Sequence, residues 1–266
     1  YGEDKSCATD YECSLPGPRH GHASTSFILG GASNVLLLFG GETTDLPVTG
    51  NADATLSREV FAGYFSLRGV VFTRFLTQDA WGELCEPGVA SDTCPAERRD
   101  AAVSVLDNVG SNNGKLLVFG GMTSTGKSSP MWTYLNRFTS SELVSLDDLW
   151  YLDLNSLDED CVKDAICWDT DILVWKKIDV PGQSPTTRWG AGMLLDSANN
   201  LYVTGGASYS TASSHLELGD LFVFQLRDAF YKFCSATGSG LTSAVAGVTA
   251  RFFLQCLDGF GDPASG

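Results

Sequence analysis

Long apolar runs, histidine and basic residues are all scarce in this sequence, and each shortage argues against a class of function. No stretch reaches the roughly 18 to 20 apolar residues that a helix needs to cross a bilayer. Lysine and arginine total 17 against 32 aspartate and glutamate residues, so the net charge is −15. Such a surface repels the phosphate backbone of nucleic acid and anionic lipid headgroups. We therefore expect no nucleic-acid partner and no membrane span.

The short motifs that mark common enzymes and metal sites are also missing. The sequence has no G-x-S-x-G nucleophile elbow, no C-x-x-C pair and no EF-hand spacing. Its three histidines are His20, His22 and His215, and we expect the first two to be structural rather than metal ligands. An acidic stretch at residues 158–171 is either a solvated hairpin or a calcium-binding loop. No catalytic residue, metal site or cofactor is predicted.

What the chain does contain favours a β-rich fold. Of its 266 residues 43% are hydrophobic and 18% are charged, which is apolar enough for a sizeable core. It has 29 glycines, and its apolar runs are short. Short apolar runs separated by glycine-rich turns are typical of many short strands rather than of long helices. The predicted fold class is all-β.

The cysteines bear on the compartment. The eight cysteines form four close couples along the chain: Cys7 and Cys13, Cys85 and Cys94, Cys161 and Cys167, Cys234 and Cys256. Even number and local pairing favour four disulfides over zinc ligands or free thiols, although spacing alone leaves the connectivity open. Disulfides persist in oxidising compartments, so we expect an extracellular or cell-surface location.

One order of sequence elements recurs three times. Each repeat opens with P-x-x-R and continues into an apolar strand that ends in Gly-Gly. The arginines are Arg19, Arg98 and Arg188, and the glycine pairs are Gly40-Gly41, Gly120-Gly121 and Gly205-Gly206. A third strand of apolar and aromatic residues follows each pair, as at Trp150-Tyr151, and a fourth strand carries Trp81 in repeat 1 and Trp175 in repeat 2. A single Gly-Gly pair would indicate only a loop, whereas three pairs in register indicate three similar structural units.

These elements resemble the kelch repeat, with residues 148–153 and Trp175 as the closest match. The resemblance covers roughly residues 14–228 and implies a kelch-type β-propeller. It also implies that Trp175 and Tyr151 cover Gly120-Gly121, and that the three arginines bridge neighbouring blades through backbone carbonyls. The openings lie 79 and 90 residues apart, against about 50 in an ordinary kelch unit, so the excess is expected in inserted loops.

The chain is expected to supply about three blades of a larger propeller, because closure takes about four to eight blades. Residues 1–228 are assigned to this propeller fragment, with residues 1–5 ending a preceding blade or completing the third sheet. Residues 229–266 lack the pattern. Their G-x-G-L stretch, alternating strand and Gly-Asp-Pro turn resemble the start of a filamin-type immunoglobulin-like domain.

The function implied by these resemblances is structural. We expect a non-enzymatic protein-interaction module of a large secreted or cell-surface protein, part of a filament, flagellar-hair-like structure or coat. Its partners would be other protein chains or domains of the same protein, with glycans as a further class. The alternative is a propeller that binds a glycan or small molecule, or a kelch-type copper oxidase whose site lies outside these residues.

Overall fold

The computed structural model describes fifteen stretches of the chain. These are residues 16–29, 33–44, 54–66, 69–75, 77–78, 81–85, 93–106, 114–124, 143–154, 173–179, 184–211, 214–226, 234–241, 248–249 and 251–264. Within them the regular structure consists of β-strands and one 3-10 turn at Ser239–Leu241. The strands form several small, mainly antiparallel sheets, and none of these sheets closes on itself. The predicted all-β class is confirmed.

The first sheet belongs to repeat 1, which opens at Pro16. Its strands are β1 (Arg19–His20), β2 (Ala23–Leu29), β3 (Ser33–Thr44), β4 (Ala54–Ser66) and β5 (Gly69–Phe75). Strands β2 to β5 pair antiparallel in chain order, and β1 pairs with the far end of β3. The β3–β4 ladder shifts register between Phe39 and Gly41, where the glycine pair bends the strand. Successive residues of β3 are buried on both faces, as expected for a strand that lies inside a stack of sheets.

The second sheet belongs to repeat 2, which opens at Pro95. Its strands are β6 (Thr77–Gln78), β7 (Ala102–Leu106), β8 (Lys115–Phe119), β11 (Leu149–Asp153) and β12 (Leu173–Ile178), and the hairpin of β9 (Met122–Ser124) and β10 (Leu143–Ser145) lies beyond its glycine pair. The sheet order is β6-β12-β11-β8-β7, with β6 parallel to β12 and the other pairs antiparallel. The part of repeat 1 that follows β5 therefore supplies an edge strand to the sheet of repeat 2.

The third sheet belongs to repeat 3, which opens at Pro185. It contains β13 (Gly192–Leu195), β14 (Asn200–Thr204) and β17 (Leu221–Gln225), and the hairpin of β15 (Ala207–Thr211) and β16 (Ser214–Glu217) lies beyond its glycine pair. The three strands pair antiparallel in the order β13-β14-β17. The register matches that of repeat 2, because Leu201 faces Phe224 on β17 as Leu116 faces Leu152 on β11.

Two apolar cores hold the sheets together. The first core joins side chains of repeats 1 and 2 and includes Phe39, Val60, Trp150 and Trp175. The second joins repeat 2 to repeat 3 and includes Phe119, Tyr151, Leu201, Phe224 and Leu226. Burying one such side chain contributes about 1.5 to 3 kcal/mol, so both cores stabilise the packing of sheet on sheet.

The tail beyond repeat 3 contributes to the second core. Strands β18 (Cys234–Thr237) and β19 (Phe253–Cys256) pair antiparallel, and a turn follows in which Phe260 is buried. The Phe260 ring meets the ring of Tyr151 edge-on at 5.2 Å, and its carbonyl accepts a hydrogen bond of 3.2 Å from the tyrosine hydroxyl. Residues assigned by sequence to a separate segment thus contact repeat 2 directly.

Candidate functional site

The three glycine pairs occupy the same place in the three sheets. The pair Gly40-Gly41 lies within β3, and the other two pairs directly follow β8 and β14. All six residues have positive φ, near +62 to +65° at the first glycine and +88 to +97° at the second (Gly40 and Gly41, Gly120 and Gly121, Gly205 and Gly206). L side chains rarely adopt these conformations, and glycine adopts them freely. The glycine pairs therefore bend the three hairpins in the same way.

The guanidinium of Arg98 joins two strands of its own repeat. It is fully buried, and it donates a 3.0 Å hydrogen bond to the carbonyl of Gly120 and a bidentate pair of 2.6 and 2.9 Å to the carboxylate of Asp148. The same carboxylate accepts a 2.6 Å bond from the indole of Trp150. Burial raises the pKa of Asp148, but the hydrogen bonds and charge of Arg98 outweigh burial, so the net pKa is lowered. The pair is a charge-assisted clamp across the sheet.

Repeats 1 and 3 contain the same clamp, with short arginine–carboxylate distances in repeat 3 and a longer one in repeat 1. Arg188 donates to the carbonyl of Gly205 at 3.0 Å and to Asp220 at 2.6 and 2.9 Å, which reproduces the geometry of repeat 2. In repeat 1, Arg19 donates to the Gly40 carbonyl at 3.0 Å and to Glu59 at 3.4 Å, and Arg74 donates to the other oxygen of the same carboxylate at 3.0 Å. The three carboxylates occupy equivalent positions: Glu59 lies in β4, and Asp148 and Asp220 directly precede β11 and β17. The sequence contains a signal for them that the motif search missed, since an acidic residue directly precedes each apolar run.

The arginines also mark the junctions between repeats, although not through their side chains. The Gly41 N–H donates to the Arg98 carbonyl at 2.9 Å, and the Arg98 N–H donates to the Ser57 carbonyl at 2.9 Å. The next junction repeats this exchange, from Gly121 to Arg188 and from Arg188 to Leu146, at 2.8 Å each. The kelch resemblance implied that the side chains bridge neighbouring blades. Instead, the guanidinium binds within its own repeat and the arginine main chain forms the bridge.

Close approach of main chains explains why glycine is required at these junctions. A Cβ built on Gly40 would lie 2.6 Å from the carbonyl oxygen of Arg98, and one built on Gly120 would lie 2.5 Å from that of Arg188. Two of the three atoms nearest to a Cβ on Gly120 thus belong to the Arg188 main chain of repeat 3, and the third is the carbonyl oxygen of Leu146. The resemblance implied a cover of Trp175 and Tyr151 over Gly120-Gly121, whereas the arginine main chain lies there.

A second main-chain contact links the residues that follow the arginines. Gly21, Asp100 and Gly190 all have φ between +54 and +64°. The N–H of Asp100 donates to the Gly21 carbonyl at 2.7 Å, and the N–H of Gly190 donates to the Asp100 carbonyl at 2.8 Å. Each repeat therefore contributes one left-handed residue to a continuous series of main-chain hydrogen bonds. Asp100 fills this role without being glycine, at the place where the sequence of repeat 2 departs from that of repeat 1.

Glu42, directly after the glycine pair of repeat 1, is a buried carboxylate. Its Oε2 lies 3.0 Å from Nη1 of Arg99 and 3.1 Å from Nε2 of His20, while its Oε1 has no partner among the residues that the structure describes. Burial raises the pKa of Glu42, against the opposing effect of the His20 and Arg99 charges. The equivalent positions in repeats 2 and 3 hold Met122 and Ala207, so this ionic cluster is specific to repeat 1.

The aromatic residues singled out by sequence separate into buried and exposed groups. Trp175 is fully buried and meets the Phe39 ring of repeat 1 edge-on at 5.5 Å. Tyr151 lies on the other side of the sheet of repeat 2, in the core shared with repeat 3. Trp81, expected in a fourth strand, lies in a turn with an exposed side chain. Strand β5 (Gly69–Phe75) takes the fourth position in the first sheet instead.

Two of the four expected cysteine couples fall within the described residues, and both are disulfides. Cys85–Cys94 is buried in the first core directly before Pro95, and Cys234–Cys256 joins the paired strands β18 and β19. Cys7, Cys13, Cys161 and Cys167 lie outside the described residues, as do residues 1–5 and the acidic stretch at 158–171.

Side chains of the types that bind metals or line pockets occur among the described residues of the three repeats. Among the described residues there is no group of three or more histidine, cysteine, aspartate or glutamate side chains placed to hold a metal ion. A pocket between repeats 2 and 3 is lined by Asp147, Asp148, Lys177, Asp179 and Ser184 together with apolar neighbours, and no histidine lines it. The part of the chain that the structure describes contains no helix long and apolar enough to span a membrane.

Comparison with known proteins does not place the chain in a family. No model of a known protein family matches it, and no curated protein is significantly similar to it.

Proposed function

We propose that this chain is part of a kelch-type β-propeller that serves as a non-enzymatic scaffold for protein contacts. The observation that carries the proposal is the junction between repeats. The same two main-chain hydrogen bonds join repeat 1 to repeat 2 and repeat 2 to repeat 3. In each junction the second glycine of a pair donates to the arginine carbonyl, and the arginine N–H donates to a carbonyl two residues before the clamp carboxylate. A junction that recurs with the same partners builds an array of similar sheets around an axis, which is the principle of a propeller.

The use of the buried polar groups supports a scaffold over an enzyme. Arg98 and Arg188 are fully buried, and each donates hydrogen bonds to a carbonyl and a carboxylate of its own repeat. Guanidinium groups that are buried and paired in this way stabilise the fold and are not exposed to a substrate. Of the histidines, His20 contacts Glu42 and His215 lies against the ring of Trp189. The clamps thus account for the buried guanidinium groups of Arg98 and Arg188 as parts of the structure.

A secreted or cell-surface location is the second part of the proposal. Cys85–Cys94 and Cys234–Cys256 are bonded, and bonds of this kind persist in oxidising compartments. The expected extension to all eight cysteines is tested by the intact mass of the purified chain before and after reduction, because each disulfide accounts for two hydrogens. Free thiols at Cys161 or Cys167 would contradict four disulfides.

For residues 229–266 we propose the start of an immunoglobulin-like sandwich. Phe253 and Leu254 are neighbours on strand β19, so their side chains point to opposite faces, and both are exposed. Apolar side chains exposed on both faces of a strand are expected where the rest of the sandwich would cover them. The buried turn at Phe260 would then fasten this domain to the scaffold.

Surface labelling of the source organism tests the functional proposal. An antibody raised against the purified chain is expected to label intact, unpermeabilised cells or the filaments they shed. Labelling that appears only after permeabilisation would contradict an extracellular role. The alternatives have their own tests: copper bound in stoichiometric amount after reconstitution would favour an oxidase, and a saturable signal on a glycan array would favour a sugar-binding propeller.

A further inference from the structure

Repeat 3 presents the same junction surface that repeats 1 and 2 use, but here the surface is open. Gly205 and Gly206 have φ of +65 and +88°, the conformation of the other two pairs. The N–H of Gly206 and the carbonyl of Leu218 occupy the positions that bind the next arginine at the other junctions. Among the described residues neither atom has a hydrogen-bond partner. The glycine pairs of repeats 1 and 2 are buried, whereas this pair is half-buried.

The apolar side chains next to this pair show the same contrast. At one position of the third strand, Val60 and Leu149 are 0 and 2% exposed, while the equivalent Leu221 is 62% exposed. Two residues further along, Tyr151 is 2% exposed and its equivalent Val223 is 49% exposed. The register of the ladders fixes these equivalences, since Val60, Leu149 and Leu221 all face the residue before a glycine pair. We call Gly206, Leu218, Leu221 and Val223 the open face.

We propose that the open face binds a further sheet unit of the same kind, one that opens with a Pro-x-x-Arg segment. This inference rests on the proposed propeller role and specifies how the array continues. The carbonyl of the incoming arginine accepts a hydrogen bond from Gly206, and its N–H donates to the carbonyl of Leu218. Apolar residues of the incoming sheet cover Leu221 and Val223. The two existing junctions, 2.8 to 2.9 Å in every main-chain bond, define this interface.

The state of repeat 1 argues against a second copy of this chain as the occupant. A copy would have to offer the side of repeat 1 that corresponds to Val118 and Trp150, the side chains with which repeat 2 packs on repeat 1. The equivalent residues of repeat 1 are Leu38 and Phe61, and both are already buried. That side of repeat 1 is covered within the chain, so the occupant of the open face is a different unit.

The experiment adds the opening segment of repeat 2 to the intact 266-residue chain. The probe is a synthetic peptide of residues 93–106 with Cys94→Ser, and the readout is the amide spectrum of the isotope-labelled chain. We expect saturable shifts of the Gly206 and Gly219 amide signals. Methylation of the peptide at the main-chain nitrogen of Arg98 removes the donor to the Leu218 carbonyl, so the shifts should be lost with that peptide.

Matched variants of the chain locate the binding. Leu221→Glu is expected to abolish the shifts, whereas Leu216→Glu, an equally exposed leucine on β16, should preserve them. No shift at millimolar peptide, or an equal shift with the methylated peptide, would overturn the proposal. A dimer in sedimentation that Leu221→Glu dissociates would overturn it in favour of a second copy. Surface labelling of cells does not depend on this face, so the two proposals can fail separately.

Discussion

Alanine at Gly120 is expected to destabilise the chain far more than alanine at Gly205, although the two glycines have nearly the same conformation. Their φ angles are +62 and +65°, so both substitutions force an L side chain into the left-handed region. That penalty is about 1 to 2 kcal/mol. It is common to both positions and cancels in the comparison.

The difference arises from what lies next to the new methyl group. At Gly120 the Cβ would lie 2.5 Å from the carbonyl oxygen of Arg188, so repeat 3 must shift away. That shift costs about 1 to 3 kcal/mol as overpacking. It also weakens the two 2.8 Å hydrogen bonds of the junction, each worth about 1 kcal/mol. At Gly205 the nearest atom is the Leu218 carbonyl oxygen at 3.6 Å, an ordinary contact. We expect Gly120→Ala to cost about 2 to 3 kcal/mol more than Gly205→Ala.

Urea unfolding followed by tryptophan fluorescence measures this difference, because Trp150 and Trp175 are buried in the core next to the junctions. Gly190→Ala is a third reference, since Gly190 has φ of +64° and nothing within 4 Å of an added Cβ. It should match Gly205→Ala. Equal losses at Gly120 and Gly205, within about 0.5 kcal/mol and at unchanged m-value, would refute the claim that main-chain approach between repeats dictates the glycines.

Three further outcomes are expected from the same unfolding assay. Asp148→Asn leaves the buried Arg98 without its counter-charge and should cost about 3 kcal/mol; a loss below about 0.5 kcal/mol would contradict the clamp. The pKa of Asp148 in the folded chain is lowered from its ordinary 3.8. The stabilisation that its carboxylate provides is therefore complete above that pH and is lost as the pH falls below it. Asp148→Asn should thus reduce the fall in unfolding free energy at acid pH relative to the parent chain. Phe260→Ala should cost about 3 kcal/mol as a large-to-small core change, whereas the exposed Phe253→Ala should be nearly neutral; equal effects would mean that the tail does not share the core.

Much of the fold could be predicted because glycine and arginine mark positions that chain geometry restricts. A glycine pair after an apolar strand predicts positive φ and close approach of another chain, and at Gly40 and Gly120 the structure contains both. The all-β class followed from short apolar runs. The partner of each arginine could not be predicted in this way, since sequence does not say whether a guanidinium or its main chain makes a given contact. Only coordinates separate the clamp at Asp148 from the bridge at Ser57.

The tail shows a different limit of sequence patterns. Its alternating strand predicts a separate domain. Strands β18 and β19 pair antiparallel, and the assignment to a domain of its own stays a prediction. Nothing in the pattern distinguishes the exposed Phe253 from the buried Phe260, because burial depends on a contact with Tyr151 more than 100 residues away. Long-range packing of this kind leaves no periodic signal in the sequence.

The division between side-chain clamps and main-chain bridges explains how repeats of such different composition can stack. Each clamp depends on specific residues, and it acts within one repeat, where Arg98 and Asp148 can be retained together. The bridges between repeats use only N–H and carbonyl groups, which every non-proline residue supplies. Neighbouring repeats can therefore differ at their remaining positions and carry long insertions without losing the junction. The glycine pair is the exception, because a Cβ there would separate the two main chains.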